Sequence, residues 1–472
     1  MEKLGAVLWL DLSRTRGATL SHQLYRQLVD RILSGGLKGG ARLPSTRELA
    51  AHYRIARNIV IAVYEQLLAE GFLEARPGAG TFVARLDHLD LLARPPAATP
   101  RPAAPPEERR RTISFICGTP DLEAFPRGRW MTCTRQVAFF RETPGWGYAP
   151  PAGSAALRRE VASHLARVKG IRCTPEQVVI TAGTARALWI TALLLGERRL
   201  GALVEDPVVS FVPGMLRHAG HPVIPVPTDR DGLVVDALPR RPKAALLFLS
   251  PSHHFPLGST LPIQRRLAAL EYARRHDIVL VEDDYDSEFR YEGVPVSSLF
   301  RLNSERVIHL GTFSKSLAPA LRLGYIVVPS ARVGQATALL SNLHLGASLH
   351  TQEAMARFIH DGHLDRQIVR MQRLYRRKMR HLVDALQAAF GGRVAISGNT
   401  TGLHLVATFP GVAFDAQTIA RMRAAGVVAD PVDEFALGRK RHPGALALGF
   451  GHLSFEAMDE GVRRLASVLE GG

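Results

Sequence analysis

Cysteine is scarce in this chain of 472 residues: Cys117, Cys133 and Cys173 are its only three and lie far apart. They fit neither a disulfide framework nor a CxxC metal site, so inert thiols and no metal are expected. Long apolar runs are missing too; none approaches the roughly 20 uninterrupted apolar residues that a bilayer span needs. Met1-Glu2-Lys3 does not lead into the apolar core of a secretory signal. A cytoplasmic protein with no membrane partner is therefore expected. Acidic charge is the third shortage, with 43 Asp+Glu against 60 Lys+Arg and a net charge of +17. Such an excess suits a polyanion, because each Lys or Arg that neutralises a phosphate releases counterions. The plainer alternative is arginine used as a generic solvated residue.

What is present reads as folded. Hydrophobic residues make up 46% and charged residues 22%, which excludes a disordered chain. The length calls for two or three domains. Residues 94–111 are rich in Pro, Ala and Arg without apolar period, and residues 87–111 are expected to form an extended linker. It separates a small domain, 15–86, from a large one, 112–472. There is no internal repeat.

In the small domain Leu24, Leu28 and Ile32 recur at helical spacing. Ser45-Thr46-Arg47-Glu48 reads as a capping box that starts a second helix. A third helix runs through Val60, Val63, Tyr64, Leu67 and Leu68 to Gly71. Two short strands, Phe72-Leu73-Glu74 and Thr81-Phe82-Val83, flank the turn Pro77-Gly78-Ala79-Gly80. Three helices and a tight hairpin make a winged helix-turn-helix, whose third helix enters the major groove. Arg57 and Asn58 at its start are placed to read base edges, since Arg pairs with guanine and Asn with adenine. Arg47 suits a phosphate, and Gly78 and Gly80 let the wing approach the backbone. Double-stranded DNA is the expected partner.

The stretches 43–50, 64–67, 70–73 and 78–83 resemble the GntR family's winged helix from cap to wing. Two positions depart from that pattern: Arg54 replaces the turn glycine and Ala56 the usual N-cap serine. A missing cap costs about 1 kcal/mol.

The large domain alternates helical stretches with apolar runs such as Val178–Ile180, Ala202–Val204, Ala245–Leu249, Ile278–Val281, Val307–Leu310 and Tyr325–Val328. Several lack polar alternation, as expected of strands covered on both faces of an open, mostly parallel α/β sheet. Ligands then sit beyond the carboxyl ends of the strands. Four features there suit one ligand. The turn Thr181-Ala182-Gly183-Thr184 offers backbone amides and a hydroxyl to an anion. Asp283, at the end of its strand, can hold a pyridinium N–H, and Tyr285 two residues on can donate to a ring oxygen. Lys315, after Gly311-Thr312-Phe313-Ser314, can form a Schiff base with an aldehyde. Arg322 can clamp a phosphate. The pair His253-His254 has no acidic or cysteine partner in its own segment, so it reads as cofactor-edge or loop histidine.

From about Ile113 onward the chain resembles a fold-type I aminotransferase, and with the winged helix it resembles the MocR-type subfamily of GntR regulators. The resemblance rests also on Gly147–Gly153, Ser250–Gly258, Glu282–Tyr291, Thr312–Lys315 and Gly449–Ser454. It implies pyridoxal phosphate as cofactor, with Lys315 carrying the Schiff base, Asp283 at the pyridine nitrogen and Tyr285 at the phenolic oxygen. Gly183, Thr184, Thr312 and Arg322 would contact the phosphate. Tyr148 would reach the phosphate of a partner subunit, which implies a homodimer; the family's dimers are often head-to-tail.

Two departures bear on function. Val209 stands where the family often has a tyrosine near the ring, with Phe211 two residues on. Ala447-Leu448-Gly449-Phe450 stands where aminotransferases have an arginine for the substrate carboxylate. Losing that pair removes roughly 1.5–3 kcal/mol of charge-assisted bonding, and Arg439, Lys440 and Arg441 read as solvated. The expected function is a transcriptional regulator that senses pyridoxal phosphate or an amine or amino-acid effector. A working aminotransferase with a DNA-binding head is one alternative, and a DNA-binding protein with a cofactor-free dimerisation domain is the other.

Overall fold

The computed structural model describes residues 10–13, 18–85, 112–140, 147, 149–196, 200–293, 297–343 and 346–470. The linker 87–111 and Tyr148 lie outside them. The chain divides into two compact units, Met1–Ala103 and Ala104–Gly472.

The first unit holds helices α1 (Leu20–Leu33), α2 (Thr46–Tyr53) and α3 (Arg57–Ala69), then strands β1 (Leu73–Arg76) and β2 (Gly80–Val83). Leu24, Leu28 and Ile32 of α1 meet Val60, Val63 and Leu67 of α3 in one apolar cluster, the face that their i, i+4 spacing puts on one side of the helix. The capping box is complete: the Ser45 N–H donates to Glu48 Oε2 at 2.8 Å, and the Glu48 N–H donates to Ser45 Oγ at 3.2 Å. The hairpin is antiparallel, with Leu73 opposite Val83 and Arg76 opposite Gly80.

The two departures from the family's turn have visible consequences. Arg54 caps α2 at φ 51°, ψ 44°, a left-handed conformation that disfavours any side chain, and Ala56 caps α3 with no side-chain hydrogen bond. Arg54→Gly is expected to stabilise the first unit by about 0.5–1 kcal/mol after the chain entropy glycine adds. Ala56→Ser should add about 1 kcal/mol. Calorimetry of the full-length protein checks both; an unchanged or earlier transition for this unit would contradict them.

The second unit is built on an eight-stranded sheet. Its strands are β3 (Val178–Thr181), β4 (Gly201–Asp206), β5 (Val223–Asp229), β6 (Gly232–Leu233), β7 (Ala244–Leu249), β8 (Val279–Asp284), β9 (Val307–Thr312) and β10 (Gly324–Val327). Their spatial order is β3-β10-β9-β8-β7-β4-β5-β6. The ladders from β9 through β8, β7 and β4 to β5 are parallel, while β10 runs against both its neighbours and β6 against β5. Successive residues go to opposite sides: Val178, Ile180, Leu247 and Leu280 join one core cluster, Val179, Leu246, Val279 and Val281 the other. Both faces are covered, so the strands need no polar alternation.

Sequence reading left out β5, β6 and a second sheet formed by β11 (Ala395–Ser397), β12 (His404–Thr408), β13 (Asp430–Pro431) and β14 (Ala445–Gly449), in the order β11-β12-β14-β13. Helix α4 (Thr184–Leu194) follows β3, and the 28-residue helix α5 (His363–Phe390) precedes the second sheet. No helix among the described residues is long and apolar enough to cross a membrane.

Candidate functional site

The carboxyl ends of β3, β8 and β9 carry the polar groups of interest. Pleating sorts the acidic run that closes β8. Glu282 accepts from the Leu299 and Phe300 N–H groups at 2.8 and 3.2 Å and lies 3.0 Å from His309 Nδ1. Asp284 Oδ2 takes Lys169 Nζ at 2.8 Å, and Glu288 shares that ammonium at 2.9 Å. Those two acids are structural. Asp283 points to the other face, and its Oδ1 is buried without a hydrogen-bond partner. Burial first, then the neighbouring Asp284, pushes the Asp283 carboxyl up to about 7, with Lys315 pulling it partly back.

Lys315 follows β9 through a tight turn in which Thr312 Oγ1 accepts from the Ser314 N–H at 3.2 Å. Its Nζ donates to the Gly118 carbonyl at 2.6 Å. Burial lowers its proton affinity, opposed by Asp286 and Asp283. Gly118 has to be glycine: its φ is +94°, and a Cβ there would stand 3.1 Å from Lys315 Nζ.

Tyr285 and His253 form a short relay. His253 Nδ1 lies 3.0 Å from both oxygens of Asp286 and 3.1 Å from the Tyr285 hydroxyl. A carboxylate at that distance keeps the proton on Nδ1, which then offers the tyrosine no lone pair, so the Tyr285 O–H stays available as a donor. His404, its ring 4.6 Å from that of His253, is 3.0 Å from the Pro256 carbonyl through Nε2. Sequence reading found no partner for His253; the partners come from Asp286 and His404, distant in the chain. Ligand atoms of His253, Asp286 and His404 lie within 4.8 Å of one another, but hydrogen bonding already accounts for their grouping. Glu205 and His254, 3.7 Å apart and buried, are both driven neutral by burial, Glu205 up to about 8 and His254 down to about 3.

These groups enclose a cavity of about 170 Å³. Lys315, Asp283, Tyr285 and Thr184 line it, with Val209, Phe211 and Phe255 as apolar wall. Both the family's missing tyrosine position and the phenylalanine two residues on therefore face the same space. Asp286, Cys117, Gly118, Leu403 and His404 complete the lining, and none of these five was singled out from sequence as a site residue. Gly183 is the N-cap of α4, at φ 89° and with no side-chain cap. Arg322 adjoins it, for a Cβ on Gly183 would be 3.5 Å from the guanidinium. The α4 amides and Arg322 are thus close enough together to hold one anion at that rim.

No described lining residue is an arginine. Ala447 is fully buried on β14 and packs with Val406, Val432, Cys117 and Leu257. Arg439, Lys440 and Arg441 are exposed.

In the first unit Arg47, Arg57 and Asn58 are exposed, and Arg57 Nε donates to Thr46 Oγ1 at 3.4 Å, from the first residue of α3 to the first of α2. Gly78 and Gly80 have φ of 72° and 112°. Sequence reading missed two wing cations: Arg76 lies 4.5 Å over the Phe82 ring, and Arg42 sits against Gly80.

Residues 20–83 match the family of bacterial regulatory proteins of the gntR type, and residues 134–465 match aminotransferase class I and II. The chain is 35% identical to a probable rhizopine catabolism regulatory protein, MocR, of Rhizobium meliloti, over 98% of this chain and 96% of that one. It belongs to the MocR-type regulators of the GntR family. Another member, the pyridoxine biosynthesis transcriptional regulator PdxR of Corynebacterium glutamicum, is 33% identical over 81% of this chain and 82% of its own. Among solved structures, an archaeal alanine:glyoxylate aminotransferase superposes with a TM-score of 0.71 at 25% identity, over 76% of this chain and 91% of that one. The α-aminoadipate aminotransferase LysN of Thermus thermophilus, complexed with N-(5'-phosphopyridoxyl)-L-leucine, gives 0.68 at 27% identity over 77% and 94%. This MocR-type regulator thus joins a DNA-binding winged helix to an aminotransferase-like fold.

Proposed function

We propose that the large unit binds pyridoxal phosphate and that its occupancy, alone or with an amine or amino acid, changes how the winged helix binds DNA. The observation that carries this reading is one cavity lined by an amine and by a buried carboxylate with an unpartnered oxygen. An orphaned buried acceptor costs free energy unless a donor fills the space, and a ring N–H is such a donor. Bound there, the cofactor supplies an aldehyde that condenses with primary amines.

Each residue then has a task. Lys315, its charge disfavoured by burial, presents its amine to the cavity. Asp283 accepts the ring N–H, and Tyr285, held by His253, donates to the ring oxygen. Gly183, Thr184, Thr312 and Arg322 would take the phosphate, Tyr148 that of a second subunit in a homodimer. The name of the relative PdxR favours the same cofactor class. The site keeps the groups for the cofactor, and among the described residues no arginine lines it for a substrate carboxylate, so we favour sensing over turnover.

A ligand controls DNA binding only if it binds the two states of the protein unequally. Measuring duplex affinity of the full-length protein with and without pyridoxal phosphate tests this; a change is expected, and identical isotherms despite bound cofactor would refute it. In the head, Arg57→Ala should relax sequence preference, costing about 1–3 kcal/mol on the preferred site alone, whereas Arg47→Ala should weaken all sequences alike. Equal losses on specific and random duplex for both variants would contradict these roles.

A further inference from the structure

Helix α5 carries a feature that the cofactor site does not use. Arg366, Arg370, Arg373, Arg377 and Arg380 follow one another at spacings of four, three, four and three, so at 100° per residue they fall in one stripe. All five are exposed. The buried residues Leu364, Met371, Tyr375 and Leu382 lie on the opposite side, so the stripe is the helix's outermost line. It extends for about 21 Å at 1.5 Å per residue.

The sign pattern is unusual for a merely solvated helix. Side chains three and four apart are neighbours, and like charges there repel, which is why exposed helices mix signs. Within this stripe no acid intervenes from Arg366 to Arg380. Among the described residues Arg370, Arg373, Arg377 and Arg380 make no ion pair. Arg377 instead lies 5.4 Å from the Phe455 ring, and with Arg380, His381, Asp384 and Phe455 it lines a shallow depression at the stripe's end. A second copy of this face would set arginine against arginine, so the occupant is a polyanion. About 21 Å matches some six phosphate steps of one DNA strand, and the chain already carries a DNA-binding head.

We propose that the outer face of α5 is a second, sequence-independent contact for the DNA backbone, separate from the winged helix. This rests on the DNA-binding reading of the head. The test compares full-length protein with the variant R370Q/R373Q/R377Q/R380Q, whose glutamines keep helix propensity and remove charge. Affinities are measured against salt on a random-sequence duplex of many helical turns and on one of about a single turn. On the long duplex the variant's log–log salt slope should be shallower by about 3–4, near 0.9 for each phosphate that it no longer neutralises. The thermal transitions of the two proteins should coincide. Equal slopes on the long duplex, with binding intact, overturn the surface and leave the head's role standing. If the wild type binds neither duplex, the DNA reading of the head fails and this surface with it. If the variant loses only binding to phosphatidylserine vesicles, the face is a lipid contact and the proposal is wrong.

Discussion

Lys315→Ala is expected to show no Schiff-base band and to lose most of the thermal stabilisation that pyridoxal phosphate gives the wild type. Ligand at a hundred times its dissociation constant stabilises a folded protein by about 2.7 kcal/mol, and most of that gain should be lost in the variant at the same concentration. The variant itself should remain folded, since it loses one hydrogen bond, to the Gly118 carbonyl, worth about 1 kcal/mol. Lys169 provides the contrast. Burial works against its charge, but Asp284 and Glu288 outweigh it and hold it protonated well above the ordinary lysine range. Lys169→Ala would strand two buried carboxylates, at a cost on the order of 3–5 kcal/mol. Loss of colour with stability kept belongs to Lys315; loss of stability belongs to Lys169. A Lys315→Ala protein that still takes up colour would remove the amine from the site.

Asp283→Asn should move stability and binding in opposite directions. The Asp283 carboxyl is raised from 3.8 to about 7 in the folded chain, chiefly by burial. Below about pH 4 it is neutral folded or unfolded and costs nothing. As the pH rises towards 7 the unfolded chain releases this proton and the folded chain keeps it, so stability falls; above 7 the loss is complete, on the order of 4 kcal/mol. Asparagine has no such proton. Without ligand the variant should therefore unfold later than wild type at pH 8, with the advantage gone by pH 4. Glu205, raised to about 8 chiefly by burial, acts over a similar range; the Asp283 charge adds to that rise, so its loss in the variant works in the same direction. Towards pyridoxal phosphate the same variant should bind roughly 10- to 100-fold more weakly, the loss of a charge-assisted bond of about 1.5–3 kcal/mol. Parallel stability curves from pH 4 to pH 8 would show that Asp283 is not buried in this way.

Local chemistry was legible in the sequence because it depends on neighbours a few residues away. The Ser45–Glu48 box, the glycine turn of the hairpin and the exposed start of α3 all follow from short spacing. The choice of Asp283 over Glu282 and Asp284 came from the family resemblance, and strand pleating accounts for it. The groups brought in from afar were not legible. Gly118 enters from a segment almost 200 residues before Lys315, and His404 arrives from the second sheet to meet His253. Nothing in the pattern around Cys117 or Leu403 marks them as cavity wall, because their place is set by how the second sheet closes over the first. The same holds for β5 and β11, whose short runs, broken by proline or polar residues, carry a weaker period than the central strands. Arg42 was missed for a related reason: it precedes α2 in sequence, yet it lies against the wing.

Borohydride reduction of the wild-type protein mixed with pyridoxal phosphate, followed by mass mapping of its peptides, tests the site most directly. Seven lysines compete for the aldehyde. One pyridoxyl group per chain on the peptide containing Lys315, lost in favour of no other lysine when Asp283 is replaced, is the predicted result. Label scattered over exposed lysines such as Lys440, with none on Lys315, would contradict the account.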